Sequence, residues 1–387
     1  LSMNPPILSG LAKSILLARI SLSVAFKMIL AYPNLKALRK TKQEVRLLRD
    51  HYSQRTKINK VARVNKKVFI SPNLQSWPSN HFHRNFLNIA KKHSGQSVEL
   101  AEDIRLVLLA ITKSCQMNCE HCYEAGNLNK QESLSLDDLK NVLRKLQDYS
   151  IPHFQLGGGE PMMRFDDLIA LLNSADKSIS DFWITTSGMS LNEEKALQLK
   201  KAGLTGVAVS LDHFDKEKHN AFRRHKNAFD WAKEAIESAN RVGLATSLNI
   251  CVTKEFCSPD NLMQFAELAK NWGVAFIQIL EARKAGNYAD KDVELSAEQH
   301  KIVEEFYFKL NQQKEFKKYP IAHYYSFRQR TSGCTAAGMR YLYVDTDGYV
   351  NTCPFCRGKG DHVLQADLNV SIQKLREQGC IKYKLGK

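Results

Sequence analysis

The stretch ITKSCQMNCEHCY, residues 111–123, decides how the rest of the chain is read. It sets Cys115, Cys119 and Cys122 at a C-x3-C-x2-C spacing, three thiols within eight residues. The run 106–112 leading into it is apolar and carries β-branched Val107, Ile111 and Thr112, the pattern of a buried strand. A loop leaving the C-terminal end of such a strand can fold three sulfurs onto one metal centre while the strand holds its root fixed. Structural zinc is the competing use, but zinc takes four protein ligands, and its usual knuckle is a C-x2-C pair answered by a second pair. No fourth Cys or His follows here at ligand spacing, and His121 sits between two of the cysteines, where adjacent side chains cannot readily share one tetrahedral ion. Three thiolates on a four-iron, four-sulfur cube leave one iron open to a substrate or cofactor.

Around this loop the chain becomes regular. Apolar, β-rich runs at 105–112, 153–156, 182–186, 206–211, 245–252 and 275–280 alternate with helix-like stretches such as 135–147 and 227–242. Strands joined by crossover helices pair in parallel, and six such units predict an open, partial barrel of the α/β class. Sites on such sheets lie at the C-terminal strand ends. There the second run ends in Gly157, Gly158, Gly159, Glu160 and Pro161, and the third in Thr185, Thr186, Ser187 and Gly188. The fourth ends in Ser210, Leu211 and Asp212, followed by His219, Arg223 and Arg224. Asn249 and Glu281 are polar residues within or just after the fifth and sixth runs.

The length of 387 residues suits one core of about 200 residues with additions at both ends. Nine cysteines without a secretory signal pattern argue for a reducing compartment and against a disulfide framework. The formal charge of +16 is concentrated: between Lys36 and Lys67, twelve basic residues face only Glu44 and Asp50. That density is often no more than a solvated helical face, but it also attracts anionic lipid or an acidic partner. Before it, 7–32 is the most apolar long segment, interrupted by Lys13, Arg19 and Lys27 too closely for a membrane span. On a helix its basic residues gather on about a third of the circumference, opposite Leu11, Ile15, Leu22, Phe26 and Ile29. An interfacial anchor and a helix packed on the core or a partner subunit are both consistent with that pattern. The connector 68–96 is broken by Pro72 and Pro78; Trp77, Phe82 and Phe86 are expected to pin it to the body, and no function is assigned to it.

The cysteine loop resembles that of the radical SAM superfamily, in which the open iron chelates S-adenosylmethionine. The segment GGEP, one βα unit later, matches a motif of the same family and strengthens the resemblance. It implies a role for Gly158, Gly159 and Glu160 at the methionine amino group, for Ser187 at the ribose or carboxylate, and for Arg223 as a fork on the carboxylate, with Arg224 in reserve. The SLD…H…RR run, which contains Ser210 and Asp212, resembles the SLD…HD…RG pattern of members with extra clusters, with Asn220 in place of the acid and Arg224 in place of the glycine. His121, Tyr123, Ser210, Asp212 and Asn249 are further implied cofactor contacts, and Glu281 is expected at the cavity floor.

Beyond Tyr319 a second cysteine set begins: Cys334, Cys353, Cys356 and Cys380. The first three flank a hairpin whose turn is Asp345-Thr346-Asp347-Gly348. Four thiolates could hold zinc, but the arrangement is similar to the twitch or SPASM extension of radical SAM enzymes, which implies one auxiliary four-iron cluster. Cys251 and Cys257 read as small buried residues.

The expected architecture is an α/β partial (βα)6 barrel (104–310), with an N-terminal amphipathic and basic helical region (1–67), a connector (68–103) and a small C-terminal hairpin and helix domain (311–387). The resemblance implies reductive cleavage of S-adenosylmethionine to a 5′-deoxyadenosyl radical that takes a hydrogen atom from an unreactive carbon. A peptide or protein side chain is the first expected substrate and a lipid or lipid-linked molecule the second. A non-catalytic iron–sulfur electron carrier or scaffold is the alternative of another class. Expected partners are an electron donor such as flavodoxin or ferredoxin and the anionic inner membrane face, in a cytoplasmic protein; no nucleic-acid recognition module accompanies the basic charge.

Overall fold

The computed structural model describes residues 7–56, 58–356, 360–380 and 382–383. Leu1 and Ser2, Lys57, and the side chains of Arg49, Asp50 and Arg55 from the basic run lie outside what is described.

The six strands expected from the sequence form in order: β4 (Leu106–Thr112), β5 (His153–Gly158), β6 (Asp181–Thr186), β7 (Gly206–Ser210), β8 (Ala245–Val252) and β9 (Phe276–Glu281), following the three short N-terminal strands described below. Each pairs in parallel with the next. The sheet continues past both ends. Strand β10 (Ile321–Tyr324) pairs in parallel with β9; β11 (Tyr341–Val344) pairs in parallel with β4 and antiparallel with β12 (Val350–Asn351). One nine-stranded sheet results, and the expected C-terminal hairpin is its edge.

The crossover helices form for local reasons. The helix Leu136–Asp148 starts at a capping box, with Ser135 and Asp138 exchanging bonds, and buries Leu139, Val142, Leu143 and Leu146 at the i, i+3, i+4, i+7 spacing of one face. Each such side chain contributes about 1.5–3 kcal/mol on leaving water. The helix Ala228–Val242 ends at Gly243, whose φ of +75° is the left-handed cap that glycine adopts freely.

The N-terminal region is not helical throughout, as had been expected. Strands β1 (Ile7–Ser9), β2 (Lys60–Val64) and β3 (Lys67–Phe69) form a small antiparallel sheet around α1 (Gly10–Ala31) and α2 (Leu35–Thr56). Its Ala62 and Phe69 join Trp183, Ala208, Ala245, Phe276 and Ile321 in one buried cluster, so the sheet closes the barrel at the N-terminal ends of the strands. The Lys60 ammonium donates to the carbonyls of Leu310, Phe316, Tyr319 and Pro320 at 2.8–3.2 Å, which ties this sheet to the end of the barrel. The connector, which carried no expected function, completes the closure. Asn73 bonds both Gln155 and Tyr325. Ser76 donates from its backbone and hydroxyl to the buried Asp181 carboxylate at 2.7 and 2.8 Å, and His81 meets the same carboxylate at 3.1 Å. Trp77, Phe82 and Phe86 do pin the connector, as expected, by packing beneath α1.

Helix α1 differs from the expected amphipathic pattern. It turns Leu16, Ile20, Val24 and Met28 onto the body of the protein, while Leu11, Ile15, Leu22, Phe26, Ile29 and Leu30 face solvent. Both faces are apolar, because the inward face is small and the rest of the stripe finds no partner among the described residues.

Candidate functional site

The cysteine loop leaves β4 and is fastened at its root. Glu132 accepts from the Lys113 backbone and the Thr112 and Ser114 hydroxyls, and the Asn129 side-chain Oδ1 accepts from the Cys115 backbone at 2.9 Å. Its far side is held by the segment after β9. Asn287 donates from its backbone to the Cys122 carbonyl and from its side chain to the Cys119 carbonyl, both at 3.0 Å. Gly286, at φ +55°, lies so close that a Cβ would run into the Cys122 carbonyl oxygen. Cys115, Cys119 and Cys122 therefore gather with Met117, Ala228 and Trp231 in one cluster. Burial pushes the Cys115 thiol up to about 12 and the Cys122 thiol up to about 11, so the loop is built to hold thiolates only when a cation compensates them.

The rim residues come together at the neighbouring strand ends. Gly158 and Gly159 press the end of β5 against the root of the loop: their Cβ atoms would strike the Thr112 and Ser114 carbonyl oxygens. Gly159 and Glu160 donate backbone bonds to those same oxygens at 2.8 and 2.7 Å. The close approach that these glycines allow here is to the cysteine loop itself. Glu160 is buried, and its carboxylate accepts from the Met162 backbone, the Thr186 hydroxyl, and the Ser187 backbone and hydroxyl at 2.5–3.1 Å. Burial raises it above the ordinary carboxylate range, and these four donors offset part of that rise.

Arg223 stands across the loop from Glu160. Its Nε donates to Asp212 at 2.6 Å and its Nη1 to the Cys119 sulfur at 3.6 Å. Asp212 also accepts from the Cys251 backbone at 3.0 Å, and the His219 ring accepts from the Asp212 backbone at 3.1 Å. Burial alone would raise the Asp212 carboxyl, but the Arg223 guanidinium holds it below its usual range. Arg224 is exposed in a left-handed cap and does not reach the site, which removes the reserve candidate. His121 is stacked on Phe222 at 4.8 Å, burial lowers it to about 4, and its Nδ1 has no partner among the described residues. Tyr123 packs edge-on against Tyr343 and Phe355.

Inside the barrel, Trp183, Ala208, Ala245, Phe276 and Ile321 share one cluster, so by strand alternation Thr185, Ser210, Ser247, Asn249, Gln278 and His323 face the same side one or two steps higher. Asn249 accepts from Gln278 at 2.8 Å and from Ser247 at 3.3 Å. Gln155, Thr185, Ser210 and Asn249 are partly exposed, which leaves a neutral polar wall open toward the cysteine loop. Glu281 is not a bare cavity floor: Tyr324, Arg330 and Arg283 all engage it, and Arg283 reaches on to Tyr383 at 2.9 Å.

The C-terminal cysteines lie in two pairs, Cys334 with Cys380 and Cys353 with Cys356. Tyr341 lies within electrostatic reach of Cys334 and Cys353, one from each pair. Backbone N–H groups point at the sulfurs: Ala336 at Cys334, Cys356 at Cys353 and Tyr383 at Cys380, at 3.2–3.4 Å. Such donors favour the thiolate, as iron–sulfur ligands require. A cavity of about 290 Å³ opens beside Cys334 and Cys380, lined also by Met339, Arg376 and Tyr383. No disulfide joins any of the nine cysteines. A single zinc ion with bonds of about 2.3 Å would draw its sulfurs to within roughly 4 Å of one another. Among the described residues no three Cys, His, Asp or Glu side chains are so arranged for a metal ion.

Sequence reading missed Asn129, Glu132, Gly286 and Asn287, which hold the site together. Only Gly286 carried a local signal, a glycine after a strand.

A parallel partial barrel with a three-cysteine loop at its C-terminal rim defines an iron–sulfur enzyme fold. Residues 109–278 match the family model described as the Radical SAM superfamily. The cofactors of the superfamily are a four-iron, four-sulfur cluster and S-adenosylmethionine, and the donor set of the loop, three soft thiols with one face open, fits such a cluster. Among relatives, GTP 3',8-cyclase of Helicobacter pylori (strain HPAG1) is 30% identical over 213 residues, covering 52% of this chain and 65% of that protein. The mycofactocin maturase MftC of Mycolicibacterium smegmatis is 29% identical over 194 residues, 49% of this chain and 48% of that one. The chain spans 59–65% of the length of the cyclases it matches first. In fold it is similar to Streptococcus suis SuiB bound to precursor peptide SuiA (TM-score 0.58, 15% identity, 89% of this chain and 80% of that one). It is also similar to anSMEcpe with bound AdoMet (TM-score 0.56, 16% identity, 72% and 84%).

Proposed function

We propose that this protein reductively cleaves S-adenosylmethionine and uses the product to remove a hydrogen atom from an unreactive carbon of a peptide or protein side chain. The observation that carries the reading is the convergence of the Cys115–Cys119–Cys122 loop with Glu160, Ser187 and Arg223 at adjacent strand ends, above a barrel closed from below. When bound, the cofactor pair supplies one-electron cleavage of a carbon–sulfur bond and a carbon radical that accepts the hydrogen atom.

The chain's own residues supply position and exclusion of water. The three cysteines hold the cluster, and the Arg223 guanidinium offsets thiolate charge at Cys119 while leaving a donor for an incoming carboxylate. Glu160 and Ser187 form a prearranged pair of acceptors for an ammonium and a hydroxyl, the Ser187 proton being donated to Glu160. His121, Tyr123, Ser210, Asp212 and Asn249 complete the proposed cofactor contacts. Cys334, Cys353, Cys356 and Cys380 are proposed to hold one auxiliary four-iron cluster, and a flavodoxin or ferredoxin to deliver the electron.

A peptide is preferred over a nucleoside triphosphate because Gln155, Thr185, Ser210, Asn249 and Gln278 offer amides and hydroxyls, which suit a neutral backbone. The names of MftC, a maturase, and of SuiB with its precursor peptide support the same substrate class. A lipid-linked substrate is the second reading, favoured by the exposed apolar face of α1. Anaerobically reconstituted protein with dithionite and S-adenosylmethionine should form 5′-deoxyadenosine. Deuterium transfer into that product from a labelled candidate peptide would establish the substrate class, and transfer from GTP instead would overturn it.

A further inference from the structure

We infer that the outward face of α1, with the basic first half of α2, is a docking surface for an anionic lipid bilayer. Leu11, Ile15, Leu22, Phe26, Ile29 and Leu30 are 53–77% exposed, and on a helical wheel they fall on one stripe roughly 100° wide. Six large apolar side chains on one open helix face are more than a soluble surface leaves scattered by chance. Among the described residues α1 is the one helix long and apolar enough to cross a membrane. It does not stand free to do so, because Leu16, Ile20, Val24 and Met28 pack on Val61, Val68 and Phe82 of the body. The helix therefore lies along the protein surface, and the geometry left to it is burial of the stripe in the plane of a bilayer.

Charge selects the occupant. Arg19 and Lys27 are exposed on α1 itself, and Lys36, Arg39, Lys40 and Lys42 are exposed on α2. Over this stretch the acidic side chain is Glu44, and His93 engages it at 2.7 Å. An apolar stripe with six exposed cations on the same two consecutive helices matches the headgroup layer of an anionic membrane, in which the stripe enters the acyl boundary and the long cationic side chains reach the phosphates. A second copy of this chain would bring the same cations against one another, which makes self-association through this face unfavourable.

The surface belongs to the N-terminal module that closes the barrel from below, so docking leaves the cysteine-loop rim free. The inference rests on neither substrate reading, and vesicle binding is measured without cofactor or substrate. The full chain is sedimented with phosphatidylcholine vesicles and with vesicles that also contain phosphatidylglycerol. Binding at least tenfold tighter to the anionic vesicles is expected, falling as salt is raised. Leu22→Glu with Phe26→Glu should lower that binding at least tenfold, and Lys36→Glu with Arg39→Glu and Lys40→Glu should do the same. Because the replaced side chains are exposed, melting temperature and 5′-deoxyadenosine formation should stay unchanged. Absence of vesicle binding by the wild type, or binding unaffected by Leu22→Glu with Phe26→Glu, would overturn the inference. So would a wild-type dimer in light scattering that those two changes convert to monomer without any vesicle binding, which would assign the stripe to a second copy.

Discussion

The two ends of the barrel each bury a carboxylate, and they use it differently. At the closed end the buried Asp181 is surrounded by Ser76 and His81 of the connector, Lys67 of the N-terminal sheet and Thr205 just before the next strand. At the open end Asp212 holds Arg223, whose remaining donors face the cysteine loop, and the neutral wall above Trp183 stays partly exposed. A carboxylate that ties separate segments together makes a joint; one that positions a guanidinium beside a cysteine sulfur makes part of a site. A change at the closed end should therefore cost stability alone, and one at the open end should cost activity as well.

The largest expected break of that contrast is Cys119→Ala at the open end. It should reduce 5′-deoxyadenosine formation by more than about 100-fold, as expected for loss of a group on which the chemistry depends. Circular dichroism should remain native. Iron analysis should show a loss of about four of about eight irons per chain. Cys353→Ala with Cys356→Ala should remove a similar share of iron and the modified substrate, while cleavage of S-adenosylmethionine without substrate persists. Asp212→Asn leaves the Arg223 charge buried without its partner and should cost about 3–5 kcal/mol in denaturant unfolding, with activity falling as well.

At the closed end, Asp181→Asn should cost about 2–4 kcal/mol, yet leave the activity of the folded fraction unchanged. Burial alone would raise the Asp181 carboxyl, but His81, Lys67 and the Ser76 backbone hold it well below its usual range. A depressed carboxylate contributes stability that is fully present above the unfolded value of about 4 and is lost as pH falls below it. The wild type should therefore lose more stability than Asp181→Asn between about pH 5 and 3, a difference that thermal melts across that range would show. The smallest effect is expected for Gly286→Ala, which forces a Cβ onto the Cys122 carbonyl and should cost about 1–3 kcal/mol while loosening the loop.

The open end was far more legible than the closed one. The cysteine spacing, the glycine–glutamate turn and the polar strand ends are local signals, each written within a few residues of a strand terminus. The strand starts were misplaced by no more than one residue, because alternation and turn residues are local too. The closure by β2, β3 and Asn73 was invisible, since Lys60 meets carbonyls some 250 residues away and nothing in LQSWPSN announces a partner at Asp181. The addition of β10 and β11 to the sheet edges escaped notice for the same reason. Helix α1 was read with its apolar residues on one side. A helix that is apolar nearly all round has no polar face to reveal which side the body takes.

The most direct test of the central claim, that the Cys115–Cys119–Cys122 loop presents an open iron to S-adenosylmethionine, is the electron paramagnetic resonance spectrum of the anaerobically reduced protein with and without that cofactor. The wild type and the Cys353→Ala, Cys356→Ala variant should both change signal on its addition, and Cys119→Ala should not. A wild-type spectrum indifferent to S-adenosylmethionine, or a reconstituted protein that holds zinc in place of iron, would contradict it.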